Sequence, residues 1–141
     1  IASDHAGYEM KEHVKELLEG MGYGVKDYGT ESEVSCDYTD YVHPLGRDIN
    51  KGVYGRGIVI CGTGNGVQMT VNKYPRVRCA LCWEDEIARL ARCHNDSNVL
   101  AMPGRFIDFE TARRIVEVFL QTDFEGGRHM RRVEKINKLL V

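Results

Sequence analysis

The sequence predicts a single-domain α/β protein, in which a doubly wound (Rossmann-like), five-stranded parallel sheet is flanked by helices. Strand-like and helix-like segments alternate along the chain, as they do in repeated βαβ units. Residues 57–61 form a continuously apolar run that ends in a glycine cluster, which is typical of a strand buried on both faces. The length of 141 residues fits one domain, residues 1–141, and leaves little room for a second.

Residues 1–51 supply two of the five predicted strands. Residues 1–3 have the character of the end of a strand, and we expect a few strand residues to precede this sequence. The helix after them is predicted from apolar residues at i, i+3, i+4 and i+7: Val14, Leu17, Leu18 and Met21. Residues 24–28 predict the second strand, and a helix is expected at residues 38–51.

Three further strands are predicted at residues 57–61, 77–83 and 98–102. Helices are expected at residues 67–74, where Pro75 ends the pattern, and from Glu84 onward. Two more helices follow from apolar residues in helical register: Ala112, Ile115, Val116 and Phe119, then Val133, Ile136 and Leu140. The final helix, about residues 129–140, completes the predicted fold.

The composition excludes several classes of function. The net charge is −2, and acidic and basic residues are interspersed, so a nucleic-acid partner is not expected. No apolar run approaches the roughly 20 residues of a membrane span, and no signal-peptide pattern opens the sequence, so we expect a cytoplasmic protein without a membrane partner. Five cysteines are an odd number for a disulfide scaffold, and we expect reduced thiols.

Ligands of open parallel sheets bind at the carboxyl ends of the strands, and several polar residues are predicted there. Asp4 and His5 follow the first strand, and Arg105 follows the last. The glycine-rich loop, residues 61–66, leads from a buried strand into a helix, so its backbone N–H groups can converge on an anion and favour the thiolate of Cys61. By itself the loop is equally compatible with a tight turn in which Cys61 only fills the core.

Other motifs have less specific interpretations. The loop glycines could bind a dinucleotide, but they follow the third predicted strand instead of the first. Cys79 and Cys82 have the spacing of a redox pair, but residues three apart in a strand face opposite sides, so we expect them in the core. A zinc site made of Cys79, Cys82, Cys93 and His94 is not favoured, because the last two are adjacent and lack the usual ligand spacing. His94 lies on the apolar stripe of its helix, where a histidine usually caps or fills the core.

One helical turn separates Arg128 from Arg132, so the two guanidinium groups can point the same way and bind a phosphate. The alternative is an ordinary solvated helix face. The short basic run at residues 128–132 suits a small phosphate better than a duplex.

Six motifs occur in the order found in the ribose-5-phosphate isomerase B family of sugar-phosphate isomerases, which the chain resembles over essentially its whole length. They are Asp4-His5-Ala6-Gly7, Asp37-Tyr38, Cys61-Gly62-Thr63-Gly64, Asn72-Lys73, His94-Asn95-Asp96-Ser97-Asn98-Val99-Leu100, and Glu125-Gly126-Gly127-Arg128-His129 with Arg132. The resemblance implies interconversion of D-ribose 5-phosphate and D-ribulose 5-phosphate in the pentose phosphate pathway, with no metal and no cofactor.

The resemblance also implies a role for each matching residue. Cys61 is the base that moves a proton between C2 and C1, and Thr63 contributes a hydroxyl beside the loop. His94 helps to open the furanose ring, with Asp4 near the same hydroxyls. The substrate and its phosphate are bound by His5, Tyr38, Gly62, Gly64, Asn65, Gly66, Asn95, Arg128 and Arg132. Members of the family are typically homodimers or homotetramers with active sites shared between subunits, and the final helix is expected in the dimer contact.

Two other functions remain open at this point. The same scaffold could isomerise a hexose 6-phosphate, such as allose or galactose 6-phosphate, and Asn65 stands where the family usually has an apolar residue. Alternatively, the chain could be a non-catalytic nucleotide-binding module, in which the glycine loop holds a phosphate and Cys61 is structural.

Overall fold

The computed structural model describes residues 1–138. Four strands alternate with six α-helices in these residues. The strands are β1 (Ala2–Ser3), β2 (Gly57–Cys61), β3 (Cys79–Leu81) and β4 (Val99–Pro103). A 3-10 helix (His5–Gly7) precedes the α-helices, which are α1 (Tyr8–Gly20), α2 (Tyr38–Lys51), α3 (Asn65–Val71), α4 (Asp85–Asn95), α5 (Phe109–Gln121) and α6 (Arg128–Lys135).

The four strands form one parallel sheet in the order β1-β2-β4-β3. The central pair runs the full length of both strands, from Gly57 opposite Val99 to Cys61 opposite Pro103. Every residue of β2 and β4 is buried, as the continuous apolar run predicts. The carboxyl ends of the strands therefore meet at one edge of the sheet and the amino ends at the other; we call these the carboxyl edge and the amino edge.

Helices cover both faces of the sheet, which confirms the doubly wound α/β class. Ile58 and Ile60 point toward the face covered by α1, α4 and α5, where Phe119 is fully buried. Val59 and Cys61 point toward the opposite face, covered by α2 and α3. The alternation of side chains along a strand thus divides one apolar run between two cores.

The prediction of five strands was wrong, because residues 24–28 form no regular strand. Residues 28–30 lie beside β1 and exchange three backbone hydrogen bonds with it: Tyr28 N–H to Ile1 O, Ser3 N–H to Gly29 O and Thr30 N–H to Ser3 O. Gly29 has φ +104°, outside the extended region, so the two segments do not form a continuous ladder. The chain occupies the place of a fifth strand without its regular pairing.

The helix predictions at residues 38–51 and after Glu84 are confirmed within a residue or two. Helix α3 begins and ends earlier than predicted, and β3 is shorter than residues 77–83. The last helix ends at Lys135, and Leu140 of the predicted helix lies outside the described residues. Within residues 1–138, none of the helices has the length and apolar character needed to cross a membrane.

Candidate active site

Cys61 lies at the carboxyl edge, where β2 ends and the glycine loop begins. Its side chain is buried (5% exposed), and its Sγ accepts a hydrogen bond of 3.1 Å from the N–H of Gly64. Gly64 has φ +77°, and a Cβ there would overlap the side chain of Leu81 and approach the backbone of Met102 to 3.1 Å. Glycine is therefore required at the position that directs an N–H group at the sulfur.

The rest of the loop lies between side chains from two other segments. Thr63 is exposed, and its Oγ1 accepts a 3.3 Å hydrogen bond from the N–H of Asn65. The Tyr38 ring covers Gly66, where an added Cβ would come within 2.6 Å of it. The Arg105 side chain lies against Gly62 in the same way. An aromatic ring and a guanidinium group thus flank the loop.

Asp4 and His5 reach the same edge from β1. Asp4 is 7% exposed, and its Oδ1 accepts a 3.1 Å hydrogen bond from the N–H of Gly7, which starts the 3-10 helix. The Nδ1 atom of His5 accepts a 3.2 Å hydrogen bond from the N–H of Cys36. In the neutral ring the proton then lies on Nε2, so that nitrogen can donate to an anion.

A partly buried ion-pair network lies beside β1. The ammonium group of Lys11, fully buried, contacts Asp27 at 2.5 Å. Asp27 also accepts a 2.9 Å hydrogen bond from the N–H of Gly29, whose carbonyl accepts from Ser3. Burial alone would raise the pKa of Asp27, but hydrogen bonds from Lys11, Gly29 and Lys15 outweigh it, and the pKa is lowered.

His94 and Asn95 occupy the last turn of α4, and both are accessible. The helix ends at Asp96, which has φ +47° and whose carboxylate pairs with Arg78 at 2.9 Å and Arg92 at 3.1 Å. These ion pairs stabilise Asp96 in a left-handed backbone conformation that is unfavourable for residues other than glycine. They fix the point at which α4 presents His94.

Beside His94 lie Glu125 and His129, which the motif series contains without a role. The rings of His94 and His129 are stacked with centroids 4.3 Å apart and an interplanar angle of 13°. The Glu125 Oε2 atom is 3.9 Å from His94 Nε2. Burial lowers the pKa of His129, and the neighbouring His94 and Arg128 lower it further.

The donor atoms of His94, Glu125 and His129 lie within 4.8 Å of one another, close enough for a metal site. Two histidines and a glutamate are a known zinc ligand set. However, the lone pairs of nearly parallel, stacked imidazoles do not converge on one point, so one ring would have to rotate before both could bind the same ion. The arrangement fits a stacked pair better than a metal centre.

Arg128 and Arg132 extend from α6, and both are exposed. Residues four apart lie on the same side of a helix, so both guanidinium groups can approach one anion. Helix α6 starts beside the end of α4, since the N–H of Glu125 donates to Cys93 O at 3.0 Å. The arginines therefore belong to the same region as His94.

The predicted residues fall into two groups at opposite edges of the sheet. The carboxyl-edge group is Asp4, His5, Tyr38 and the loop at residues 61–66. The amino-edge group is His94, Asn95, Arg128 and Arg132, because α4 runs back along the sheet and its end leads into β4. The N–H of Gly57, at the start of β2, donates to Asn98 O. A five-residue strand spans about 13 Å, so one chain does not bring Cys61 and His94 to one sugar.

The remaining cysteine prediction is confirmed. Cys79 and Cys82 are both buried, and they belong to the cores on opposite faces of the sheet. Burial raises the pKa of Cys82 to about 12 and that of Cys79 well above its usual value. These thiols remain protonated at neutral pH and form neither a redox pair nor a zinc site.

Sequence reasoning placed Arg105 at the carboxyl edge but gave it no role, and it missed the contact of His129 with His94. The signal for Arg105 is its position directly after a parallel strand. His129 carries no comparable signal, because its contact depends on how α6 meets α4. The opposite placement of the two groups could have been inferred, since a helix between parallel strands runs back toward their amino ends.

A profile of the family described as "Ribose/Galactose Isomerase" matches residues 1–136. The chain is 48% identical to a ribose 5-phosphate isomerase of Thermotoga maritima whose crystal structure gives a TM-score of 0.95, with 98% of this chain and 95% of that chain covered. A ribose-5-phosphate isomerase B of Mycoplasma genitalium, solved with bound ribulose-5-phosphate, gives 39% identity, a TM-score of 0.92, and coverage of 96% and 91%. Ribose-5-phosphate isomerase B of Escherichia coli is 39% identical over 136 residues, 96% of this chain and 91% of that protein.

Proposed function

The chain belongs to the Ribose/Galactose Isomerase family, and on this basis we propose that it is an aldose-ketose isomerase that interconverts D-ribose 5-phosphate and D-ribulose 5-phosphate, a reaction of the pentose phosphate pathway. The observation that carries the proposal is Cys61 beneath the glycine loop, with the N–H of Gly64 directed at its sulfur. The names of the relatives, and the ribulose-5-phosphate bound by one of them, support the substrate.

In the proposed reaction Cys61, as a thiolate, removes the proton from C2 of the open-chain aldose and returns it at C1. The intermediate is an enediolate, whose negative oxygen needs hydrogen-bond donors. The loop N–H groups other than those of Gly64 and Asn65, which bond within the loop, would provide them together with the hydroxyl of Thr63. One such donor is typically worth ~10²–10³ in rate. The route requires neither a metal nor an organic cofactor.

The substrate aldose exists mainly as a furanose, so the ring has to open before Cys61 can act. We assign this step to His94, which can move a proton at the ring oxygen or the anomeric hydroxyl, with Asp4 near the sugar hydroxyls. Arg128 and Arg132 would bind the phosphate, assisted by the free Nε2 of His5. Asn95 and Tyr38 would line the pocket, and Gly62, Gly64, Asn65 and Gly66 would surround the reacting carbons.

These roles require two copies of the chain, because Cys61 and His94 lie at opposite edges of the sheet. We propose a homodimer, or a homotetramer of such dimers, in which the amino-edge group of one copy meets the carboxyl-edge group of the other. Two features support this arrangement. Trp83 and Phe106 leave large aromatic side chains exposed at the carboxyl edge, and an open groove of about 530 Å³ runs along β3, between α4 and Ile136. Residues 1–141 would form one domain, and its last helix, α6, would contribute to the contact.

Two alternatives predict different results. A hexose 6-phosphate isomerase would use the same residues on a longer sugar. Asn65 is the loop residue whose side chain would contact a hexose differently from a pentose. A non-catalytic nucleotide-binding module would bind a nucleotide at the loop and move no proton.

The test is a direct assay of ribose 5-phosphate turnover, with and without a chelator, beside allose 6-phosphate and galactose 6-phosphate. We expect chelator-insensitive turnover with the pentose favoured, and deuterium from the solvent should enter ribulose 5-phosphate. Preference for a hexose would favour the first alternative. Absence of exchange with every sugar, together with tight nucleotide binding, would favour the second and overturn the proposal.

A further inference from the structure

His129 is buried beside the amino-edge group and has no role in the proposed reaction. It is 5% exposed, although it belongs to the first turn of a helix whose other residues are mostly accessible. Its ring lies flat against His94, with centroids 4.3 Å apart. The His94 side chain is 38% exposed, so its own helix leaves the ring free on one side.

The backbone holds His129 in this position. Gly126 and Gly127 have φ +70° and +56°, a turn that favours glycine, and the N–H of His129 donates to Gly126 O at 3.1 Å. The preceding residue, Glu125, is joined to the last turn of α4 by the hydrogen bond from its N–H to Cys93 O. Backbone contacts therefore hold the start of α6 against α4, independently of the side chains of Arg128 and Arg132.

The stack connects two tasks of the proposed site. His129 is flanked on the same helix by Arg128 and Arg132, whose side chains extend outward while its ring points at α4. A contact that fixes the His94 ring thus also fixes its distance from the arginines. In catalysis, misplacing a reacting group by about 1 Å can cost ~10²-fold in rate, so such a contact matters where the group is otherwise half exposed.

We propose that His129 is a positioning residue, whose stacked ring sets the plane of the His94 imidazole and keeps it in register with Arg128 and Arg132. This inference rests on the proposed function. The lowered pKa of His129 is consistent with it, because a neutral ring can lie against His94 without opposing its protonation during turnover.

The experiment compares His129→Leu, which fills the space without a flat ring, with His129→Phe, which retains one. The matched control is His13→Ala, which removes a histidine stacked on Phe109 at 3.6 Å, on the α1 and α5 side of the molecule. Two reactions are measured. Turnover of ribose 5-phosphate includes ring opening, whereas deuterium exchange into ribulose 5-phosphate does not, because that sugar has no furanose form.

We expect His129→Leu to lower kcat on ribose 5-phosphate by ~10–100-fold while exchange stays within about 3-fold of the original protein. His129→Phe should keep both within about 3-fold, and His13→Ala should leave both unchanged. Unchanged turnover in His129→Leu, an equal loss in His129→Phe, or an equal loss of turnover and exchange would overturn the inference.

A second measurement does not depend on activity. In nuclear magnetic resonance spectra, the ring current of an aromatic residue 129 should shift the ring protons of His94, and this shift should persist in His129→Phe and vanish in His129→Leu. Identical His94 resonances in both variants would refute the positioning role. If the original protein turns over no sugar phosphate, the proposed function fails, and these spectra still decide whether residue 129 orients His94.

Discussion

At the carboxyl edge, Cys61 is held by main chain: its strand is buried, and the N–H of Gly64 contacts its sulfur. At the amino edge, His94, Arg128 and Arg132 stand at the ends of helices with accessible side chains. The first region is built by backbone geometry, and the second by side-chain contacts such as the stack on His129. We therefore expect changes at the carboxyl edge to affect the proton transfer itself, and changes at the amino edge to affect substrate binding and ring opening.

The largest expected effect comes from Cys61→Ala, which removes the proposed base. Isomerisation and deuterium exchange should both fall by at least ~10²–10⁴-fold, the range for a general base. A phosphate analogue should still bind, because the arginines are intact. The matched control is Cys82→Ala, another buried thiol, which should keep its turnover. Full activity of Cys61→Ala would exclude the assigned mechanism.

A slightly smaller loss is expected for Gly64→Ala, which tests whether backbone geometry positions the base. The new Cβ would overlap Leu81 and displace the N–H of residue 64 that donates to the Cys61 sulfur. We therefore expect kcat to fall ~10²–10³-fold. Gly52→Ala is the control, since Gly52 has nearly the same φ, +79°, and no atom within 4 Å of an added Cβ. Both variants strain the backbone at a positive φ, but only Gly64→Ala also displaces the N–H group, so kinetics and thermal unfolding of the two separate these effects. Equal kcat values for the two variants would show that the overlap with Leu81 has no consequence for catalysis.

At the amino edge, Arg132→Ala should raise KM for ribose 5-phosphate by about 10–100-fold and change kcat less. The variant would lose a charge-assisted hydrogen bond to the phosphate, which stabilises the bound substrate and the transition state equally. Arg114→Ala, which removes an exposed arginine of α5, should leave KM unchanged. The assigned phosphate contact is wrong if KM of Arg132→Ala equals that of the original protein.

The smallest effect concerns the ion-pair network of Asp27, which is linked through Gly29 to Ser3. Asp27 has a lowered pKa, so its stabilising effect is complete above its unfolded pKa of about 3.9 and is lost as the pH falls through the folded value. Asp27→Asn should lower the free energy of unfolding by ~1–3 kcal/mol at pH 7 and make that energy less sensitive to acid.

Chemical denaturation of Asp27→Asn between pH 2.5 and 7, roughly the range spanned by carboxylate titration, measures this effect. Glu16→Gln, on the exposed side of α1, serves as the control and should follow the original protein. A difference between Asp27→Asn and the original protein that stays constant over the whole range would show that the Asp27 charge contributes nothing.

Sequence patterns predicted the parts of the fold that depend on local chemistry. The apolar run of β2 and the glycine at position 64 specify a buried strand and a tight turn wherever they occur. Residues 24–28 were misjudged because their apolar and β-branched character is local, whereas the missing ladder follows from Gly29 and the pairing with β1. The His94–His129 stack could not be predicted, since it depends on the angle at which α6 meets α4.

The central claim is that one complete site combines Cys61 of one copy with His94 of another. Its most direct test mixes the inactive variants Cys61→Ala and His94→Ala under conditions that allow subunits to exchange. Each mixed dimer would contain one pocket with both groups intact, so activity should rise to about a quarter of that of the original protein, since half of the dimers are mixed and half of their pockets work. A mixture that stays inactive, although mixed dimers are detected by mass spectrometry, would contradict the account.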